Sequence, residues 1–173
     1  MKITSVVLTV FVAVAAQTVL ARYTVGGRFL FDLVLVGVIY AALNGGPVAG
    51  LIAGTVGSLA QHVLSADIVG IDGLAKTLIG FAAGAVGAQF VVAKPAGRAT
   101  LLACASILHR LMLVALHALI DQHWSGVPWA AMLGETAVNA LIGLVVFQAS
   151  EGFPGILARG RQSRRSRLSR REW

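Results

Sequence analysis

Cysteine occurs once in this chain, as Cys104 inside an apolar run. An intramolecular disulfide and a cluster of thiolate ligands are therefore both excluded, and Cys104 reads as a small buried hydrophobe. Charge is scarce as well: 12% of residues are charged and only seven are acidic, against about 25% charged in ordinary soluble domains. The four histidines, His62, His109, His117 and His123, show no HxxxH-type spacing, and two histidines eight apart on a helix are separated by about 12 Å of rise, so no metal is assigned. There is no GxSxG, no P-loop and no paired-carboxylate pattern, which leaves a catalytic reading without support and calls for no cofactor. The formal charge of +7 invites a nucleic-acid partner, but seven of the fourteen basic residues lie between Arg159 and Arg171. That is a tail and not a binding face, so no nucleic-acid partner is inferred.

What is abundant is apolar. The chain of 173 residues is 57% hydrophobic with a mean hydropathy of +0.83, well outside the soluble range of about 45–50%. A bilayer core about 30 Å thick needs roughly 20 helical residues per crossing, so this length accommodates five or six spans and no separate soluble domain. The expected fold is all-α: a polytopic membrane protein, a compact bundle of six transmembrane helices over residues 1–150. Residues 151–173 form a basic, disordered cytoplasmic tail that touches anionic lipid headgroups.

The spans are expected at Ile3 to Leu20, about Phe29 to Leu43, Pro47 to Leu64, Ile71 to Ala93, Ala99 to Ile120 and Pro128 to Gln148, separated by breaker-rich stretches such as "LNGGP" and "DQHWSGVP". The first resembles a signal peptide, but a retained helix gives the better charge balance. The second is short for a crossing and is extended towards Val25 or tilted little. Six spans place both termini on one side, and the arginine tail assigns that side to the cytoplasm. Lys2, Lys94 and Arg98 then lie inside, Asp67, Asp72 and Asp121 lie outside, and only Arg22 and Arg28 run against the rule.

Gly46, Gly50 and Gly54 make two overlapping GxxxG steps, and Gly80 with Gly84 makes a third. Residues four apart share a helix face, and missing side chains let a second backbone come close. The stripe serves either packing within the bundle, the preferred reading, or docking of a foreign helix. Gln61 and His62 stand at the external end of the third span and read as a hydrogen-bonding pair near the headgroups. With Asp67 and Asp72 they form an external polar turn. Lys76, one turn after Asp72, reads as a local helical pair that snorkels into the interface. Arg110 lies near the middle of the fifth span, beside His109, where a lone charge costs at least about 2.5 kcal/mol and needs a partner. Glu135, supported by Asn139 one turn on, is the expected partner, and the cluster reads as glue between helices ahead of substrate binding.

Read continuously, residues 27 to 87 resemble the rod shape-determining protein MreD family. Asp32 and Leu33 match its opening "pDllL"; Gly46, Gly50, Gly54 and Gly57 match its glycine-spaced third span; Leu64, Ser65 and Gly70 match its "D-x-L-S-G-x-x-x-G" turn; Gly80 and Gly84 match its fourth span. His62 stands where the family has an acid and Ala66 where it has the following glycine, so a role for that acid is altered or lost here. The resemblance implies a non-enzymatic subunit of the cell-shape and wall-elongation machinery. Its partner would be the bitopic protein MreC, and through it MreB, the glycosyltransferase RodA and a penicillin-binding transpeptidase. The glycine faces would then be the natural seat for the MreC helix.

A rival reading is the substrate-binding membrane subunit of an energy-coupling-factor vitamin importer, to which the MreD family is similar in helix arrangement. In that case Gln61, His62, Asp67 and Asp72 would line a ligand pocket at the external end.

Overall fold

The computed structural model describes residues 3–21, 31–65, 70–89, 95–121 and 126–169, and among these every regular element is helical. Six helices follow in order: α1 Ile3–Ala21, α2 Leu33–Gly45, α3 Pro47–Ser65, α4 Ile71–Gln89, α5 Pro95–Asp121 and α6 Trp129–Ser169. Three are long and apolar enough to cross a membrane, over Ile71–Gln89, Pro95–Ile120 and Trp129–Ser150, while Thr4–Leu20 and Leu33–Gly45 are apolar but shorter.

Helix ends follow local chemistry. The Asp32 carboxylate caps α2 by accepting the Leu35 amide at 2.9 Å, which starts the helix later than hydropathy alone suggests. Gly46, at φ +85°, ends it and returns its own N–H to the Ala42 carbonyl at 2.8 Å. Pro47 then opens α3 in the first-turn position where its missing donor does no harm. Pro95 opens α5 in the same way, one turn before the expected Ala99. The backbone of α6 continues to Ser169, through the stretch where a disordered tail is expected from composition.

At the centre lies α2. It touches all five other helices, and Val34 to Ile39, Ala41 and Ala42 are buried on every side. Its 13 residues rise only about 20 Å, so its N-terminus begins inside the bundle. α1 lays Val6, Val10 and Val14, one turn apart, against this core. On the other side Leu102, Ala105 and Phe147 join Leu35, Ile39 and Ile79, with Tyr40 and Phe147 in a tilted ring contact at 5.1 Å.

The bundle is apolar outside and holds a set of polar groups within its apolar core. Phe11, Val48, Val63, Leu119, Leu141 and Val145 are exposed, whereas Gln17, Asp32, Lys76, His109, Thr136 and Asn139 are buried. Cys104 is exposed, contrary to the expectation that it is buried, because it lies on the outward face of α5 and an apolar run does not distinguish a lipid-facing position from a core one.

Candidate functional site: a buried ion-paired network

The glycines come first because they bring α3 and α4 into register. A β-carbon on Gly50 would collide with the Gly80 carbonyl, and one on Gly80 with that of Gly50; Gly54 faces the Lys76 carbonyl and Gly84 the backbone of Gly46 and Pro47. Gly50, Gly54, Gly80 and Gly84 therefore form one seam between two helices of the same chain. The idea that this stripe receives a foreign helix is corrected on that ground: each backbone already fills the other's groove. Gly46 differs from the rest, serving the α2–α3 turn with open space around its own α-carbon.

Close approach of α3 and α4 places Lys76 in the interior. Its side chain is 1% exposed, and its ammonium donates to Gln61 Oε1 at 2.7 Å, to Asp72 Oδ2 at 2.7 Å and to Asp32 Oδ2 at 2.9 Å. An ammonium has three protons, and each of these three has an acceptor. Lys76 does not snorkel: Asp72 supplies the local pairing anticipated from spacing, but Asp32, from a helix distant in sequence, holds the charge inside.

The network extends outward from both carboxylates. The second oxygen of Asp72 lies 3.0 Å from His109 Nε2 on α5. The backbone amide of Asp32 donates to Asn139 Oδ1 on α6 at 2.8 Å, and Asn139 Nδ2 donates to Ser106 Oγ on α5 at 3.3 Å. Gln17 on α1 accepts the Val34 amide at 3.1 Å. A helix that begins inside a bundle leaves its first amides without intrahelical acceptors, and where water is excluded each unmet amide is costly. Here Asn139, Gln17 and Asp32 itself meet those of Asp32, Val34 and Leu35. All six helices contribute a group to this one network.

Several expected roles change. Gln61 is a ligand of the buried ammonium and His62 is buried, with Nδ1 2.7 Å from the Ser58 carbonyl of its own helix; they are not a pair turned towards the headgroups, because α4 covers that side of α3. Asp72 belongs to the network and not to an open turn, while Asp67 lies outside the described residues. Arg110 and Glu135 do approach, at 3.9 Å, but that is too long for a hydrogen bond, and Arg110 Nε has no hydrogen-bond partner. Asn139 does not support this pair. It caps α2.

The fold also brings together Asp32, Asp72 and His109, each with one possible ligand atom, all within 4.8 Å of one another. Sequence spacing does not reveal such a set. Lys76 Nζ, however, stands 2.9 Å and 2.7 Å from the two carboxylates, so a covalently attached cation already occupies the position between them. The arrangement suits an ammonium clasp better than a divalent metal. Two further buried polar atoms, His109 Nδ1 and Thr136 Oγ1, have no hydrogen-bond partner.

The signal that could have found this site is Asp32: an acid at the head of an apolar run that is buried in the bundle requires a cation brought to the same depth. Lys76 and Arg110 are the only Lys or Arg within the expected spans.

No protein-family model, curated protein or solved structure matches this chain.

Proposed function

We propose that this chain is a non-enzymatic, multi-pass subunit of the bacterial cytoplasmic membrane that acts as a scaffold in the cell-shape and wall-elongation machinery, as its resemblance to the MreD family implies. All six helices cross the bilayer or lie in it, with both termini in the cytoplasm. The partner is an MreC-like bitopic protein, and MreB, RodA and a penicillin-binding transpeptidase are engaged through it.

One observation carries this reading: the polar groups around the buried ammonium, which a ligand pocket at the external end would need, are committed to one another across six helices. Lys76 takes Gln61, Asp72 and Asp32, and Asn139 takes Asp32 and Ser106. The importer reading needs Gln61, His62 and Asp72 free at a pocket mouth, and each is held by a neighbour. Exposed Phe11, Leu141 and Val145 around a buried ionic centre support a lipid surround. A partner helix must then use an outward face, since the glycine seam is closed.

The test is depletion of the protein in a rod-shaped host. Rounding of the cells, rescued by the intact chain, is expected, together with co-purification of the MreC-like protein. Unchanged rods with loss of uptake of a vitamin would refute the proposal in favour of import.

A further inference from the structure

Beside the network, and independent of the scaffold reading, a cavity of about 450 Å³ opens between the second half of α5 and the segment leading into α6. Arg110, Leu113, Val114, His117, Val127 and Pro128 are among its lining residues. Its size lies within the range of small-molecule sites. Among the described residues, Arg110 is the only formally charged group on its wall.

Arg110 is poorly served by the protein. Its side chain remains 37% exposed, Glu135 stays at 3.9 Å, and Nε is buried without a hydrogen-bond acceptor. A guanidinium offers five donors in a planar fork that matches carboxylate and phosphate oxygens, and at this depth an incompletely paired one is unfavourable. The opposite end of the wall carries a complementary group. His117 Nδ1 lies 2.8 Å from the Leu113 carbonyl; a carbonyl only accepts, so Nδ1 bears the proton and Nε2 of the neutral ring is left as an acceptor. Seven residues separate the two side chains, about 10 Å along one helix face, with Leu113, Val114, Val127 and Pro128 as apolar walls.

We propose that this cavity binds an organic anion with an apolar body, its carboxylate or phosphate seated on Arg110 and a hydroxyl or amide donor at its other end meeting His117. Two sources offer that chemistry: an anionic phospholipid and a soluble acidic amphiphile. Glu135 then acts as the resident counter-charge that the guest partly displaces.

The full chain, purified in a neutral detergent, is titrated with n-octyl phosphate and octanoate as soluble probes and with phosphatidylglycerol against phosphatidylcholine as lipids, read by thermal unfolding and native mass spectrometry. At least one anion is expected to bind, and Arg110→Gln to weaken it about tenfold or more. Glu135→Gln should bind as well as the parent chain or more tightly, because it removes the competitor for the guanidinium. Val114→Trp, which keeps Arg110 and fills the cavity, should lose binding with little change in the unfolding midpoint of the free protein. Binding of phosphatidylglycerol alone identifies a bilayer source, and binding of either octyl anion a soluble one. The proposal is overturned if no anion binds the parent chain, if Arg110→Gln and Val114→Trp bind as it does, or if Glu135→Gln loses binding as Arg110→Gln does.

Discussion

Asn139 joins the amide ahead of α2 to Ser106 on α5 with one side chain. Removing its oxygen leaves the Asp32 N–H buried and unmet, which costs about 1–3 kcal/mol. Asn139→Leu is therefore expected to lower the stability of the detergent-solubilised protein by that amount in equilibrium unfolding, and Asn139→Asp, which keeps an acceptor but adds a charge beside Asp32, to lower it as well. A neutral Asn139→Leu would show that α2 does not need an external cap. At this scale the sequence was only partly legible. An Arg110 partner on the sixth helix is readable from depth alone, and Glu135 does lie beside it, at 3.9 Å. That Asn139 faces the start of α2 is not, because Asp32 and Asn139 are 107 residues apart and no local spacing connects them.

Between elements, the α3–α4 seam has the least tolerance. Gly50→Ala and Gly80→Ala each place a methyl on an opposing carbonyl, so both should reduce the yield of folded protein, measured as the monodisperse fraction after detergent extraction. Gly134 has nothing within 4 Å of its would-be β-carbon; Gly134→Ala is expected to be neutral or to stabilise α6 by up to about 1 kcal/mol. The hydroxyls of Thr55 and Thr77 are 3.1 Å apart across the same seam. In a Cys104→Ser background, Thr55→Cys with Thr77→Cys should therefore form an intramolecular disulfide on mild oxidation, seen as a mobility shift reversed by reductant. Helix limits were well marked in the sequence by Gly46, Pro47 and Pro95. The GxxxG spacing marked a close-approach face, but a small-residue stripe carries no label for its occupant, so packing within the chain and docking from outside look alike until the fold is seen.

For the molecule as a whole, the placement of charge decides the architecture. Asp72 and Lys76 are four apart, and spacing alone permits a surface pair; what moves Lys76 inside is Asp32, brought near by the packing of α2 on α4. Breaking a buried pair by removing one partner costs about 3–5 kcal/mol because it leaves an uncompensated buried charge, a penalty that is relieved when the remaining charges are removed as well. The most direct measurement is the thermal unfolding midpoint of the full chain in one detergent for the parent, Lys76→Met, and the triple variant Lys76→Met with Asp32→Asn and Asp72→Asn. If Lys76 is the clasp of the bundle, Lys76→Met unfolds well below the parent, and the triple variant, in which the Asp32→Asn side chain keeps an oxygen to cap α2, recovers most of the loss. A Lys76→Met protein as stable as the parent, or a triple variant no better than Lys76→Met, would contradict it.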